Sequence, residues 1–214
     1  QAKDNVAIAF YAVIENAKGT DHDDILIGNA WNNKLVGGGG SDRIFGDGAS
    51  VGLDSLVSQI KNSDPGFREV DPYRNWDLYN PAPAADDSGN DILIGGDGED
   101  WLYGGAGHDT VDYAAETAEP GVEGRRGIEG SLDINGNGAI IDTYGHTDHL
   151  YGIEALTMTG SNDDLSVAGV IGRAVDGGGG TDTLHYSGYI VWDMAQFKYM
   201  DGTGTYTDTI SNVE

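Results

Sequence analysis

Cysteine is absent from the 214 residues, so no disulfide staples this chain and something else must. Basic residues are scarce. The 11 Lys plus Arg face 36 Asp plus Glu, a net charge of -25. That balance excludes a nucleic-acid binder that works by neutralising phosphates. It also excludes attraction to an anionic membrane surface. No apolar run reaches the roughly 18 residues of a membrane span, so no membrane insertion is expected. The apolar share is 38%, below the roughly 45–50% of an ordinary globular chain, so a large conventional core is not expected. The start, Gln1-Ala2-Lys3-Asp4, does not read as a signal peptide. The chain is therefore expected to be trimmed, exported by another signal, or part of a longer protein.

What is present is Asp and Gly together. Asp accounts for 27 of the acids and Glu for 9, and Gly reaches 35 residues. Asp favours turns and is a hard-oxygen metal ligand on a short stem. These residues recur with a period of nine. Gly19 to Ile27 reads GTDHDDILI, Gly28 to Val36 GNAWNNKLV, and Gly37 to Phe45 GGGGSDRIF. Gly95 to Tyr103 reads GGDGEDWLY, and Gly104 to Asp112 GGAGHDTVD. Gly46-Asp47-Gly48 joined to Gly89-Asn90-Asp91-Ile92-Leu93-Ile94 completes one more unit. Residues 49–88 thus read as an insertion inside a single turn, and the blocks form one run of six. A degenerate run follows in Thr159 to Val167, Ala168 to Asp176 and Gly177 to His185. A longer repeat matches Thr147–Glu154 with Thr207–Glu214, and a third copy ends at Ile14-Glu15.

The pattern has a chemical meaning. Gly at positions 1, 2 and 4 permits positive φ and brings backbone carbonyls inward. The last three residues extend as a strand, with the position-8 aliphatic inside. Two units make one coil of 18 residues, so each turn stacks on the next but one. An ion between stacked turns would meet carbonyls and Asp oxygens from both, which suits calcium better than the smaller, octahedral Mg²⁺. The expected ligands in the six-turn run are Asp24, Asn33, Asp42, Asp91, Asp100 and Asp109, with about four ions between them. Asp164 and Asp182 would hold one more, giving about five Ca²⁺ in all. Gly19, Gly37, Gly39, Gly46, Gly95, Gly104 and Gly177 are expected to line these sites through their backbone. Arg173 occupies position 6 of the middle degenerate turn, so that turn is expected to be metal-free.

Other motifs leave alternatives open. Asp133, Asn135 and Asn137 match the start of an EF-hand loop, but its twelfth position is Tyr144 rather than Glu. The stretch is either a separate calcium site, with Asp142 substituting, or a plain Asn-Gly turn. His146 and His149 are spaced HxxH and read as a zinc pair or as surface histidines. Leu53, Leu56, Val57 and Ile60 mark a short amphipathic helix in the insertion. Phe67, Tyr73, Trp76 and Tyr79 follow among prolines, either covering the roll or forming an aromatic platform. The bonds Asp64-Pro65 and Asp71-Pro72 are chemically labile. Neither HExxH nor GxSxG occurs, so the chain is not expected to be an enzyme.

The nonapeptides resemble the RTX, or hemolysin-type, calcium-binding repeat family. Val13-Ile14-Glu15-Asn16-Ala17 followed by Leu26-Ile27-Gly28-Asn29-Ala30 is similar to the opening of the C-terminal β-roll in serralysin-type metalloproteases. The resemblance covers most of 7–48 and 89–112, and 147–214 more loosely. It implies an all-β fold, a right-handed parallel β-roll with an inserted loop or short helix at about 49–88. It implies calcium as partner, a Gram-negative source, type I secretion, and a place outside the cell or on its surface. The parent chain would carry covalently attached catalytic or adhesive domains, most simply a protease or lipase; the alternative is a segment of an RTX adhesin or surface-layer protein. The expected division is a roll over 1–112, a β-rich connecting segment over 113–158, and a second, degenerate segment over 159–214.

Overall fold

The computed structural model describes residues 15–29, 31–47, 89–117, 127–168, 173–187, 190–193, 196–200 and 205–211. Among them there are strands and turns but no helix. None of the described residues forms a helix long and apolar enough to cross a membrane. The helix expected at Leu53–Ile60, with the rest of the insertion, lies outside the described residues.

The Gly-rich half of each unit turns, and the β-branched and aliphatic half extends. Each unit is therefore a turn plus a strand of about three residues, and alternate units fall on opposite sheets. One sheet runs in the order β1 (Asn16–Lys18), β3 (Lys34–Gly39), β5 (Ile92–Asp97), β7 (Thr110–Asp112), β11 (Ala155–Thr157), β13 (Ala174–Asp176), β17 (Thr205–Ser211), β16 (Gln196–Met200) and β15 (Ile190–Asp193). The other runs β14 (Thr183–Ser187), β12 (Asp164–Ala168), β8 (Glu129–Leu132), β9 (Gly138–Ile141), β10 (Thr147–Tyr151), β6 (Trp101–Tyr103), β4 (Arg43–Phe45) and β2 (Ile25–Ile27).

The register is the expected one. Leu35 pairs with Leu93 and Leu93 with Val111 on one sheet, and Leu26 with Ile44 and Ile44 with Leu102 on the other. All these ladders are parallel. Residues 47 and 89 flank the insertion, yet β3 pairs β5 and β4 pairs β6 without a slip. The position-8 side chains Leu35, Ile44, Leu93, Leu102 and Val111 are buried between the sheets. Leu150, Leu156, Leu165 and Val175 carry the same core onward.

Two departures from a purely parallel roll occur. The hairpin β8–β9 is wedged into the second sheet, with β9 antiparallel to β10 and β8 parallel to β12. Strands β15, β16 and β17 form an antiparallel meander at one end of the first. On the outer face, equal positions stack because parallel strands repeat every 4.7–4.9 Å. Phe45 and Tyr103 stack at 4.7 Å, and Tyr103 and Tyr151 at 4.6 Å. Trp101 stacks on His149 at 5.2 Å, and the Arg43 guanidinium lies 5.0 Å from the Trp101 ring.

Candidate metal centre

Stacking sets the position-6 side chains in two columns, one at the start of each sheet's strands. In the first, Asp42 Oδ1 accepts the Asp24 N–H at 2.8 Å, and Asp100 Oδ1 accepts the Asp42 N–H at 2.8 Å. In the second, Asp91 Oδ1 accepts the Asn33 N–H at 2.8 Å, and Asp109 Oδ1 accepts the Asp91 N–H at 2.9 Å. One carboxylate oxygen thus ties each turn to the turn before it. The other has no protein partner. Oδ2 of Asp42, Asp91, Asp100 and Asp109 is buried and unbonded, and so is that of Asp182. An unpaired buried acceptor costs about 1–3 kcal/mol, more when charged, and each column holds two such oxygens, which a bound cation would satisfy.

The unbonded oxygens face a cradle. A Cβ built on Gly37 would strike Asp42 Oδ2 and the Gly95 carbonyl oxygen. One on Gly46 would strike Asp91 Oδ2 and the Gly104 carbonyl, and one on Gly104 would strike Asp109 Oδ2 and the Gly152 carbonyl. Over each of these position-1 glycines, the turn's own carboxylate meets a carbonyl from the stacked turn. Among the described glycines of the nonapeptides, positive φ falls at positions 2 and 4, as at Gly38 (φ 124°) and Gly40 (φ 96°). Position 1 is thus glycine for want of room, not for its backbone angle, which corrects the expectation that all three need positive φ.

Burial dominates the electrostatics. It pushes the carboxyl of Asp42 up to about 7, with Asp100, Asp24 and Asp23 pushing the same way against the hydrogen bond from Asp24. Burial likewise raises Asp91 and Asp100 to about 6 each and Asp109 to about 8. Among the described residues, no three Asp, Glu or His side chains come close enough to hold a metal by themselves. An ion held here would therefore take much of its shell from backbone carbonyls. Buried carboxylate oxygens beside inward carbonyls are the donor set of a hard cation such as Ca²⁺, so the residues present fit it.

The RTX calcium-binding nonapeptide repeat matches the sequence in four copies, over residues 18–50 and 86–115. The chain carries RTX repeats. Those segments hold both columns of unbonded carboxylates. RTX repeats bind calcium, so the chain contains a calcium-binding module of the kind typical of secreted Gram-negative bacterial proteins, structural rather than catalytic. A comparison with curated proteins gives no match.

Not every expected residue stands in the same state. Asp24 is at the open end of its RTX column, and its Oδ2 takes the Thr20 N–H at 2.6 Å and the Thr20 hydroxyl at 3.0 Å. Asn33 closes its own turn. Its Oδ1 accepts the Asn29 N–H at 2.8 Å, and its Nδ2 donates to the Trp31 carbonyl at 2.7 Å. Gly19 packs under the Gly37 carbonyl, Gly39 lies between Asp21 and Asp97, Gly95 sits against Asp100 Oδ2, and Gly177 is buried.

In the degenerate run the structure differs from the expected register by one residue. Asp163, not Asp164, is the counterpart of Asp42. The Asp163 N–H donates to Asp182 Oδ1 at 3.0 Å, whereas the Asp164 side chain is 56% exposed and meets His185 at 3.1 Å. The reason is hydrophobic. Leu165 and Val167 are the residues that fit the core, and they place Asp163 two positions before the first inward side chain. The Asp163 carboxylate accepts from the Ile128 N–H at 2.7 Å and the Thr159 hydroxyl at 2.8 Å, and from the Thr159 N–H. Replacing Asp163 by Asn should therefore lower the melting temperature in calcium by several degrees, while Asp164→Asn leaves it unchanged; differential scanning fluorimetry reads both.

Asp133, Asn135 and Asn137 form the β8–β9 turn. Asp133 Oδ1 accepts the N–H groups of Asn135 and Asn137 at 2.8 and 2.9 Å, and Gly136 takes φ 74°. Asn137 Oδ1 accepts the Gly152 N–H at 3.1 Å. These bonds make the turn by themselves. Arg173 is buried and donates from Nη2 to the Asp133 carbonyl at 2.9 Å. His146 Nδ1 lies 3.2 Å from Asp97, and His149 Nε2 lies 3.0 Å from Glu99, so each has a carboxylate neighbour of its own.

Three acids, Asp148, Glu154 and Glu116, were missed. Asp148 Oδ1 accepts the Asp100 N–H at 3.1 Å, and Glu154 Oε2 accepts the Asp109 N–H at 2.9 Å. They extend the two columns beyond the recognised run. Asp148-His149-Leu150-Tyr151 keeps the acid-x-aliphatic spacing of a repeat tail, which was a usable signal. Buried Glu116 lies outside any repeat, and no spacing announces it, while buried Asp142 was considered only as a substitute in the Asp133 loop.

Proposed function

We propose that the roll is an ion-triggered folding module of a secreted protein, taking up about five Ca²⁺ between stacked turns. The observation that carries this is the row of buried, unbonded Oδ2 atoms at Asp42, Asp91, Asp100 and Asp109, each aimed into its turn. Those four, with Asp182, are the proposed side-chain ligands; Asp24, Asn33 and Asp163, whose side-chain oxygens already accept hydrogen bonds, are proposed to shape their turns. In the low calcium of a cytosol the facing carboxylates repel and the chain stays extended enough for type I export. Outside the cell, calcium exceeds the roughly 10⁻⁴–10⁻³ M affinity of extracellular sites, and the roll forms. It then supports the secretion and stability of an attached domain, a protease or lipase. The parts 1–112, 113–158 and 159–214 are proposed as grades of repeat quality along this module.

A second reading, a surface adhesin segment, is favoured by one feature. The outer ladder Arg43–Trp101–His149 runs beside Tyr103 and Tyr151 on a face where Tyr151 is exposed.

Isothermal titration of the chelator-stripped chain tests the main reading. Calcium should bind at several sites with millimolar or better affinity, and a tenfold excess of Mg²⁺ should not displace it. Saturation by Mg²⁺ at equal concentration would sink the carbonyl-rich cradle as a calcium site.

A further inference from the structure

The column of Asp24, Asp42 and Asp100 does not end at Asp100. Asp148 continues it, but both its oxygens are spent. Oδ1 takes the Asp100 N–H at 3.1 Å and Oδ2 takes the Tyr113 hydroxyl at 2.9 Å. Asp100 Oδ2 is left buried and unbonded, with no further nonapeptide aspartate free to share a ligand with it.

Glu116 fills that role from outside the repeats. It follows β7 and is only 6% exposed. Its Oε2 accepts the Thr143 N–H at 3.3 Å and the Thr143 hydroxyl at 3.2 Å, which pins the carboxylate over the β9–β10 turn. Its Oε1 is buried and has no hydrogen-bond partner. The β9–β10 turn that carries Thr143 lies against the turn of Asp100, where His146 Nδ1 is 3.2 Å from Asp97 Oδ1, and burial first, then the charges of Asp142 and Asp100, raises the Glu116 carboxyl to about 8. Asp142 is fixed there by the Gly145 and His146 N–H groups on its Oδ1, at 2.5 and 2.7 Å. Two oxygens of this acidic group, Glu116 Oε1 and Asp100 Oδ2, thus receive nothing from the protein.

We propose that Glu116 Oε1 joins Asp100 Oδ2, already assigned to the repeat ions, in holding the last divalent cation of that column, one of the hard, oxygen-seeking class, where the nonapeptides run out. Asp142 adds charge, and backbone carbonyls and water complete a shell of the 6–8 oxygens that calcium takes. The site locks the segment after β7 and the β9–β10 turn onto the roll, joining the regular repeats to the irregular end of the same sheets. The inference rests on the reading that the RTX turns themselves bind calcium.

Native mass spectrometry of the full chain in calcium tests it. Glu116→Gln keeps an acceptor for Thr143 but loses the charge. It should carry one Ca²⁺ fewer than the unaltered chain, with an unchanged β signal by circular dichroism. An unchanged ion count in a folded Glu116→Gln chain overturns this site alone. Absence of any bound calcium in the unaltered chain overturns the RTX reading instead. Should Glu116→Gln fail to fold, Glu116→Asp is the second probe. Its oxygen is withdrawn by one methylene, so the last calcium should bind about tenfold more weakly, a loss of about 1.4 kcal/mol. An unaltered last binding step in that variant overturns the proposal.

Discussion

In excess EGTA the far-UV circular dichroism of the chain loses its β signal, and millimolar calcium restores it in one cooperative step. The expectation follows from magnitudes. A ligand that binds only the folded state adds RT ln(1 + [L]/Kd), about 1.4 kcal/mol at ten times Kd and about 2.7 at a hundred times. Four such sites contribute about 6–11 kcal/mol, which matches the whole stability of an ordinary domain, about 5–15 kcal/mol. Without cysteine there is no covalent staple to take their place. A β signal that persists in EGTA would refute calcium-dependent folding. Acid should substitute in part for the metal. The folded values of Asp42, Asp91, Asp100 and Asp109, about 7, 6, 6 and 8, lie above the usual 3.8. Groups raised in this way favour the metal-free fold fully when protonated in both states, below about pH 4. That contribution is lost as pH rises from there through the folded values, at about 6 to 8. In EGTA, residual β signal should therefore be larger at pH 5.5 than at pH 8.5, and a reversed order would contradict these shifts.

Replacing Asp42 by Ala should cost about 2–6 kcal/mol in calcium, by two separable routes. The first is the lost ion, about 1.4–2.7 kcal/mol. The second is the Asp24 N–H, which loses the acceptor it now has at 2.8 Å, worth about 1–3 kcal/mol where the group is screened from water. Asp42→Asn separates the two. The amide keeps an oxygen for Asp24, and its nitrogen can donate within the turn as the Asn33 amide does to the Trp31 carbonyl. The Asn variant should lose one calcium yet show a metal-free form more stable than that of the unaltered chain, because a buried charge has gone. Urea unfolding with and without calcium measures both effects. Equal losses for Ala and Asn, with calcium count unchanged, would show that Asp42 is a turn former and no ligand.

The repeat period was enough to place the core, the pairing of Leu35 with Leu93 and Ile44 with Leu102, and the excision of the insertion from the register. Position 8 must be apolar wherever a three-residue strand has one inward side chain, so the pattern is written in every unit. The same logic failed at Asp164. There the glycines no longer marked the turn, two adjacent aspartates competed for one place, and core packing of Leu165 decided for Asp163. Positive φ was also over-assigned. Position-1 glycines answer to a collision with a carbonyl one coil away, which no local pattern reveals.

What the sequence by itself determined was therefore everything periodic: the all-β roll, its register across the insertion, and the acids that face its turns. Local spacing suffices because each unit repeats one backbone conformation and stacks on its own copy. What only the tertiary structure decided lies where copies cease to match. Asp148 is satisfied by Tyr113 from another segment, Arg173 finds its partner in the Asp133 carbonyl, and Glu116 is pinned to Thr143 over the β9–β10 turn although no repeat contains it. Those contacts join residues far apart along the chain and unlike in kind. Burial and charge select them only after the two sheets have closed.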